Sequence, residues 1–476
     1  MRYKILSVAA ALVAGTACGD LTSVNKNPNG PTDVPPPSIL SNAIVNVVNT
    51  VFGPDFSSLD IRGGGLWVQY YSEIQYRDED KYILRSGISG GWAMYNGPLE
   101  DFQLMIDKGV AASTPNWQAV GRIMKSYTFS VMTDAMGDIP YSQALKGQST
   151  LAPKYDSQQS IYDSLFADLT QASGQIDPAG IGFSSGDILF GGDMTAWQKF
   201  ANSLRLRLAM HLTNVDPAKA QAEAAAAVAA GVFTSNADNA QLTYLTAPPN
   251  QNPIYTNALT RDDYGMSKTF VDSLQSWGDP RLPIFADTNR YGAYRGLPNG
   301  LNDGEGASLD SISRFGTYWR KTPNASLSLL TYSEVLFLEA EAAQRGWIAG
   351  DPAALYASAV RASMEQYGID NTAITAYLAL PRVAYTVGPT GLTQIAYQKW
   401  VSMYMQGAEA WTEWRRTRVP TLLPGPRAVL TSLPERLPYD DNESVLNKAS
   451  LDAAVSAQGF SASNDLTGVL WYTGRQ

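Results

Sequence analysis

The chain has 476 residues and carries 35 basic against 44 acidic side chains, which gives a formal net charge of −9 at neutral pH. An acidic surface repels phosphate backbones, so the composition argues against nucleic acid as a partner. Hydrophobic residues make up 45% of the chain, enough to bury a large core, and the length alone would allow two or three domains.

The N-terminus has the form of an export signal. A short cationic start, residues 1–4, precedes a mostly apolar run, residues 5–15, which is too short to span a bilayer of ~30 Å as a helix. Small residues then lead to Cys18, the single cysteine of the chain, as at a bacterial lipoprotein processing site. We therefore predict a signal peptide over residues 1–17 and lipidation of Cys18. The alternative is an ordinary cleaved signal with an incidental cysteine nearby.

The segment after the cysteine has the composition of a spacer. Residues 18–37 are rich in Asn, Pro, Gly and Thr and show no apolar period, which predicts a flexible tether. No later stretch reaches the ~20 apolar residues that a transmembrane helix needs. We expect the mature chain to be held on a membrane by its acyl chains and not to cross it.

Helical periodicity begins at about residue 38 and continues nearly throughout. Residues 193–212 are the clearest case, because Trp197, Phe200 and Leu204 recur at intervals of three and four and so form one stripe of a helix. Asp193 is of the right type to cap the start of that helix. The bulky aromatic residues of the stripe are therefore core candidates.

A second pattern predicts two paired amphipathic helices, residues 331–346 and 351–368, joined by a turn with glycine at both ends. Asp351 and Pro352 are the residue types of an N-cap and a first helical position. Such a unit of about 34 residues has the length of a tetratricopeptide repeat. The repeats are irregular, so we predict a mostly α, tetratricopeptide-like scaffold forming one domain over residues 38–476, with long irregular loop insertions.

The longest insertion, about residues 278–328, is rich in Gly, Pro and Asn and lacks a helical period. Loops of this length are usually functional or disordered, and the aromatic content argues against disorder. Loops on a rigid scaffold commonly carry binding residues, so we expect this insertion to contribute to a ligand-binding face. Its aromatic residues are Tyr291, Tyr294, Phe315, Tyr318 and Trp319.

The residue inventory argues against an enzyme. His211 is the only histidine and lies in an amphipathic helix without a Ser or Cys signature nearby, which favours a hydrogen-bonded helix-face histidine over a catalytic one. There is no His/Cys cluster for zinc, and adjacent carboxylates such as Glu79 and Asp80 are typical of solvated acidic faces. We predict no catalytic residues and no cofactor or metal. Calcium at the acidic loop 302–310 is a weak alternative.

Several short stretches, found in a fixed order from residue 18 to about 445, point to one family. Besides Cys18 and the end stretch "RLPYDDNESVLNKA" they are "NKNPNGPT", "MTDAMGDIPYSQAL", "GGDMTAWQKFANSLRLRLAMHL", "WGDPRLPIF", "LTYSEVLFLEAEAAQRGW" and "EAWTEWRRTRVPTL". In these stretches the chain resembles the SusD/RagB family of surface nutrient-binding lipoproteins. The motif residues themselves, such as Trp411, Trp414 and Arg416, are interpreted as core aromatics and ion-pair partners.

The resemblance implies a helical fold that acts as a lid or receptor over a SusC-like TonB-dependent transporter, on the cell surface of a Gram-negative bacterium. It also implies a nutrient ligand. We expect this ligand to be a glycan or oligosaccharide, taken up as part of polysaccharide utilisation. An oligopeptide-binding receptor, or a helical-repeat interaction scaffold without a saccharide ligand, is the alternative.

Ligand-binding residues are predicted outside the shared motifs, where aromatic and polar side chains are mixed. Sugar rings stack on aromatic faces, while amides, carboxylates and guanidinium groups satisfy their hydroxyls. Trp67, Tyr70 and Tyr71 share one predicted helical face and are core candidates, whereas Trp92 and Asn96 lie one helical turn apart. The predicted binding residues are Tyr76, Arg77, Trp92, Asn96, Tyr291, Tyr294 and Trp319.

Overall fold

The computed structural model of the chain describes residues 33–53, 58–84, 91–306 and 308–475. The predicted signal peptide, Cys18 and residues 18–32 of the predicted tether lie outside the described residues. The first described helix begins at Pro36. None of the helices in these ranges combines the length and the apolar character that crossing a membrane requires.

Helices dominate the described residues, and the strands are few and short. The α-helices are α1 (Pro36–Phe52), α2 (Gly65–Trp67), α3 (Glu100–Ala111), α4 (Pro115–Met136), α5 (Gln158–Gln175), α6 (Met194–His211), α7 (Pro217–Ala230), α8 (Pro253–Thr260), α9 (Lys268–Trp277), α10 (Leu282–Phe285), α11 (Thr317–Arg320), α12 (Tyr332–Gln344), α13 (Pro352–Glu365), α14 (Asn371–Leu378), α15 (Pro389–Ser402), α16 (Gly407–Thr417), α17 (Glu443–Leu446) and α18 (Lys448–Ala457). The strands are β1 (Tyr71–Glu73), β2 (Ile139–Pro140), β3 (Tyr155–Asp156), β4 (Ala240–Thr243), β5 (Tyr264–Met266) and β6 (Ser326–Leu330).

The strands form three separate two-stranded antiparallel sheets in the described part of the chain. β1 pairs with β5, β2 with β3 and β4 with β6. In the first sheet Tyr71 lies opposite Met266, so this pair fastens an early segment to one nearly 200 residues later. The sheets therefore join loops to one another, and the helices carry the core.

Consecutive helices pack along one another in α3 to α7, and α12 packs against α13. The α12–α13 pair is the predicted helix-turn-helix unit. The Asp351 side chain accepts a hydrogen bond from the Ala353 amide, and Pro352 occupies the first helical position. These local signals determine where α13 begins. The Asp351 side chain satisfies a backbone N–H that has no partner within the helix, and Pro352 has no N–H that would need one. The predicted tetratricopeptide-like, mostly α-helical scaffold is confirmed.

Helix α6 shows how the predicted apolar stripe becomes core. Asp193 caps its start by accepting hydrogen bonds from the Thr195 and Ala196 amides. Trp197 and Phe200 are fully buried, and the Trp197 indole donates to Asp187 at 2.8 Å. The expectation that the motif tryptophans are core residues is confirmed here, and it also holds for Trp411 and Trp414 on α16, both buried.

The glycine run at residues 63–65 has a packing role. A π-helix, Asp60–Gly64, leads into α2, and it lies against the start of α16. A Cβ atom at Gly64 would lie 2.4 Å from the carbonyl oxygen of Gly407, well inside van der Waals contact. Glycine is needed here because the two backbones approach closely.

Charged side chains from several helices meet inside the scaffold. The Glu413 carboxylate lies 2.7 Å from the Lys399 ammonium and 2.7 Å from the Arg416 guanidinium, and Arg416 also pairs with Glu341 at 2.7 Å. All four side chains are buried. Buried charges remain ionised only where partners replace the lost hydration, and this network of opposite charges does so. The prediction that Arg416 pairs with acidic residues is confirmed.

His211, at the end of α6, belongs to the same buried network. Its Nε2 lies 2.8 Å from Glu409, and its Nδ1 lies 3.0 Å from the Tyr162 hydroxyl and 3.4 Å from Asp134. Burial alone would lower the pKa of His211, but the Glu409 and Asp134 carboxylates outweigh it and raise the pKa to about 10. The imidazole is thus an imidazolium near neutral pH, in agreement with the predicted hydrogen-bonded histidine.

Two sequence predictions about local structure are wrong. Trp67, Tyr70 and Tyr71 do not share one helix, because α2 ends at Trp67 and the chain then enters β1, although all three side chains are buried as predicted. The insertion 278–328 is not wholly irregular, since it contains α10, α11 and the start of β6. Short elements of three to five residues carry too little periodicity to be recognised from sequence.

Candidate functional site

A cleft of about 540 Å³ opens between three segments, residues 92–100, 140–153 and 440–446. Its volume falls in the range typical of small-molecule sites, ~300–1,000 Å³. The segments come from widely separated parts of the chain. The first leads into α3, the second lies between β2 and β3, and the third contains α17. Loops together with short helical segments on a packed helical scaffold thus form the site.

Trp92 is the largest aromatic residue that lines the cleft, and it is half-buried. Its ring centroid lies 5.3 Å from that of Tyr95, 6.0 Å from Tyr155 and 6.2 Å from Tyr439. Aromatic pairs at these separations attract one another beyond simple area burial. The three tyrosine rings therefore pack against the Trp92 indole and support it.

Hydrogen bonds fix the rings behind Trp92. The Tyr95 hydroxyl donates to the Pro140 carbonyl at 2.5 Å, and the Tyr439 hydroxyl donates to the Asp138 carbonyl at 2.8 Å. Burial raises the pKa of Tyr439 to about 12, so its hydroxyl stays protonated and able to donate. These contacts leave the cluster little rotational freedom and make Trp92 a preorganised platform.

Asn96 is brought to the same cleft by the local backbone. The 3-10 turn Trp92–Met94 runs into a π-helix, Tyr95–Leu99, whose dihedral angles leave the helical region at Gly97. Asn96 is exposed and lines the cleft with Trp92. The side-chain amide can both donate and accept hydrogen bonds.

Glu443 supplies a fixed carboxylate. Its Oε2 accepts a hydrogen bond from the Tyr155 hydroxyl at 2.8 Å and another from Asn447 Nδ2 at 3.2 Å. Burial and the nearby Glu443 charge together raise the pKa of Tyr155 well above its ordinary value, so this hydroxyl remains a donor. Gln143, Lys146 and Asn442 add further polar groups.

The arrangement suits a ligand that has both an apolar face and many hydroxyl or amide groups. The Trp92 platform can cover an apolar face, while Asn96, Asn442 and Glu443 can pair with polar groups at its edge. Platforms of this kind give affinity through stacking, and the polar groups set orientation.

Of the seven residues predicted from sequence to bind ligand, the structure brings two together at this cleft, Trp92 and Asn96. Tyr76 is 51% exposed and packs beside the Arg261 guanidinium, 5.4 Å from its ring centroid, away from the cleft lining. Arg77 is buried and donates to the carbonyl oxygens of Ile74, Asn302 and Glu305. Its guanidinium therefore holds a loop and does not face solvent.

The three predicted residues in the insertion have different environments. Tyr291 is 72% exposed, and Tyr294 is half-buried against the core. Trp319 is 1% exposed, with its ring 5.2 Å from Tyr404 and 5.9 Å from Phe285. Trp319, predicted as a binding residue of the insertion, is instead part of the core, because α11 turns its indole inward against these rings.

Sequence reasoning missed Tyr155, Tyr439 and Glu443. Tyr439 and Glu443 lie in the end stretch "RLPYDDNESVLNKA", which combines aromatic, amide and acidic residues without a helical period. The same mixture of aromatic and polar residues marks the segments predicted to bind ligand, so this stretch carried a usable signal. Tyr155 carried no such signal in the sequence. It follows a loop, and its strand β3 has just two residues, which pair with β2.

The acidic loop proposed for calcium uses two of its carboxylates within the protein. Glu305 pairs with Arg427 at 3.0 Å, and Asp303 accepts from the Arg77 amide at 3.4 Å. Within the described ranges, the one His/acidic group with metal-ligand spacing is His211 with Glu409 and Glu413. That group is buried among cations and contains a protonated imidazole, so it fits an ion-pair network better than a metal site.

Fold and cleft together define a helical scaffold protein with an aromatic and polar ligand cleft. The SusD-like family model, described as starch-binding and associating with the outer membrane, matches residues 28–440, and the chain belongs to this family. A comparison with curated proteins gives no match.

Solved structures with the same fold cover nearly the whole chain. A chitin-binding protein is 30% identical, with a TM-score of 0.82 over 92% of this chain and 100% of its own. A chitin-binding SusD homologue from Flavobacterium johnsoniae is 25% identical, with a TM-score of 0.80 over 92% of this chain and 99% of its own. A SusD homologue from Bacteroides fragilis, 24% identical with a TM-score of 0.81, covers 93% of this chain and 100% of its own, and it shares the fold.

Proposed function

We propose that this protein is a lipid-anchored receptor on the outer surface of the outer membrane, which captures oligosaccharides in the Trp92 cleft and delivers them to a SusC-like TonB-dependent transporter. The observation that carries the proposal is the Trp92 platform, backed by Tyr95, Tyr155 and Tyr439 and edged by polar side chains. Family membership and the chitin-binding relatives support it.

In this proposal the indole of Trp92 stacks on the C–H face of one sugar ring. The Asn96 and Asn442 amides and the Glu443 carboxylate then pair with hydroxyl or acetamide groups around the ring. The cleft needs no rearrangement for this, because hydrogen bonds already hold the supporting rings. Binding without catalysis is the function proposed.

Calorimetric binding of chitin-derived and starch-derived oligosaccharides to the purified mature protein tests the site. Trp92→Ala should weaken binding by about five- to 150-fold, since losing a stacking anchor typically costs ~1–3 kcal/mol. Tyr291→Ala removes an exposed aromatic outside the cleft and should leave the affinity unchanged. A loss of binding in Tyr291→Ala with normal binding in folded Trp92→Ala would place the site in the insertion instead.

A peptide library measured alongside the oligosaccharides decides the ligand class. If peptides bind in a Trp92-dependent way and no saccharide does, the saccharide proposal is wrong. The cleft's mixture of aromatic and hydroxyl-pairing groups favours saccharides.

The anchor and the partner are tested separately. Cys18→Ser should release the protein into a soluble fraction, because acyl chains are its proposed hold on the membrane. Solubilisation of outer membranes in gentle detergent should co-purify the wild-type protein with a large transporter. Retention of Cys18→Ser in the membrane would contradict the anchor, and a protein purifying alone would contradict the transporter partnership.

A further inference from the structure

The charged groups that line the cleft are mostly acidic. Among the described lining residues, Glu100, Asp440 and Glu443 carry carboxylates and Lys146 carries the one ammonium group. Lys154 directly follows the segment 140–153. Its ammonium group pairs with Asp156 at 3.1 Å, and it does not line the cleft. A ligand entering the cleft therefore meets predominantly negative side chains.

Glu443 is the carboxylate best placed to act on a ligand. Both of its hydrogen bonds, from Tyr155 and Asn447, reach the same oxygen, Oε2. In the part of the chain that the structure describes, Oε1 has no hydrogen-bonding or ion-pair partner, and the side chain is half-buried at the cleft wall. The two donors hold the carboxylate in place, so its free oxygen is presented without the cost of ordering a mobile side chain.

We propose that the cleft selects saccharides by charge: it binds oligosaccharides bearing free amino groups more tightly than uncharged ones and disfavours those built from uronic acids, with Glu443 as the counter-charge for the amino group. The inference rests on the proposed function, because it assigns a saccharide class to the same cleft. Partially deacetylated chitin has the required chemistry, since its sugars carry both ammonium and acetamide groups on one backbone.

The physical basis is a short-range ion pair in a partly desolvated cleft. An ammonium group beside Glu443 gains Coulomb energy and a charge-assisted hydrogen bond, whereas a uronate carboxylate at the same place meets like charge. Solvent-accessible pairs of this kind are worth ~0.2–1 kcal/mol, so we expect a preference of up to about fivefold for the amino sugar. The preference should shrink with salt, because the Debye length falls from ~10 Å at 0.1 M to ~3 Å at 1 M.

Calorimetry with three hexasaccharides tests the inference: hexaglucosamine, hexa-N-acetylglucosamine and hexagalacturonate. At a pH of about 6, below the ordinary pKa of an amine, wild-type protein should bind them in that order of affinity. Glu443→Gln keeps a hydrogen-bond acceptor for Tyr155 and removes the charge, so it should bring the first two affinities to within about twofold. Asp452→Asn on α18, paired with Lys448 and outside the cleft lining, makes the same change in net charge and should keep the wild-type preference.

The outcomes separate this inference from the proposed function. If hexa-N-acetylglucosamine binds in a Trp92-dependent way but hexaglucosamine binds no more tightly, the charge inference is wrong and the saccharide site stands. Equal binding of hexagalacturonate, or a preference unchanged in Glu443→Gln, also overturns it. If none of the three saccharides binds wild-type protein, the inference fails, and the proposed function fails with it when starch-derived oligosaccharides do not bind either.

Discussion

Replacing His211 by glutamine tests whether an imidazolium cation stabilises the buried ionic network. The ring is fully buried at the end of α6, where it faces Asp134, Glu409 and Glu413 at 3.4, 2.8 and 3.7 Å and the Tyr162 hydroxyl at 3.0 Å. Glutamine can keep hydrogen bonds to these groups but carries no charge. The substitution therefore removes the cation and leaves the surrounding carboxylates in place.

The pKa of His211 sets the size of the effect. It rises from 6.5 to about 10 because the carboxylates outweigh the opposing effect of burial. A tenfold change in proton affinity corresponds to about 1.4 kcal/mol, so this difference is worth on the order of 5 kcal/mol of unfolding free energy. Since the pKa in the folded protein is the higher one, the contribution is fully present below a pH of about 6.5 and is lost as the pH rises to about 10.

Urea unfolding at a series of pH values from about 6 to about 10 measures this contribution. The wild-type free energy of unfolding should fall by several kcal/mol across the range. His211→Gln should be less stable by about 3–5 kcal/mol at the acidic end, because it leaves buried carboxylates short of a cation, and it should lack that part of the slope.

The control is Lys219→Gln, which removes a partly exposed cation paired with the exposed Asp163. It should change the unfolding free energy by less than about 1 kcal/mol and keep the wild-type slope. A wild-type stability that is flat over the range, or the same slope in His211→Gln, would refute the imidazolium assignment.

Three further substitutions test the packing of the scaffold, each by chemical denaturation. Trp319→Ala should cost ~3–5 kcal/mol, as much as Trp197→Ala, because both indoles are buried; near-normal stability would mean that Trp319 is not part of the core. Arg281→Met should cost ~3–5 kcal/mol by leaving the Asp279 carboxylate, 2.6 Å away, buried without its cation, and a neutral result would contradict that pairing. Gly64→Ala should destabilise by at least ~1 kcal/mol, since its Cβ would lie 2.4 Å from a facing backbone oxygen; an unchanged midpoint would show that the two backbones can separate freely.

The helical scaffold was accessible from sequence because its signals are local. The α6 stripe with Trp197, the cap at Asp193 and the Asp351-Pro352 start of α13 each lie within one or two turns, and all appear as predicted. A helix of 14 or 18 residues repeats its apolar pattern several times, so the period is readable without knowledge of its neighbours. Three of the family motifs fall on such helices, namely α6, α12 and α16.

The position of the aromatic residues in the insertion needed the tertiary structure. Tyr291 and Trp319 lie in the same Gly- and Pro-rich segment, yet one is largely exposed and the other is buried. The difference comes from α11, four residues long, which places Trp319 against Phe285 and Tyr404. No local period encodes that contact, because the partners come from other elements.

Local sequence signals alone predicted the helical scaffold and its caps, because each depends on residues a few positions apart. The cleft and the charged core, in contrast, depend on contacts between residues far apart in the chain. Tyr155, Tyr439 and Glu443 reach Trp92 across long stretches of chain, and Glu409 and His211 meet from α16 and α6. A charged side chain can be buried only where the fold brings partners of opposite charge to it. The sequence of one helix therefore does not show whether a polar residue on its face points to water or to another helix.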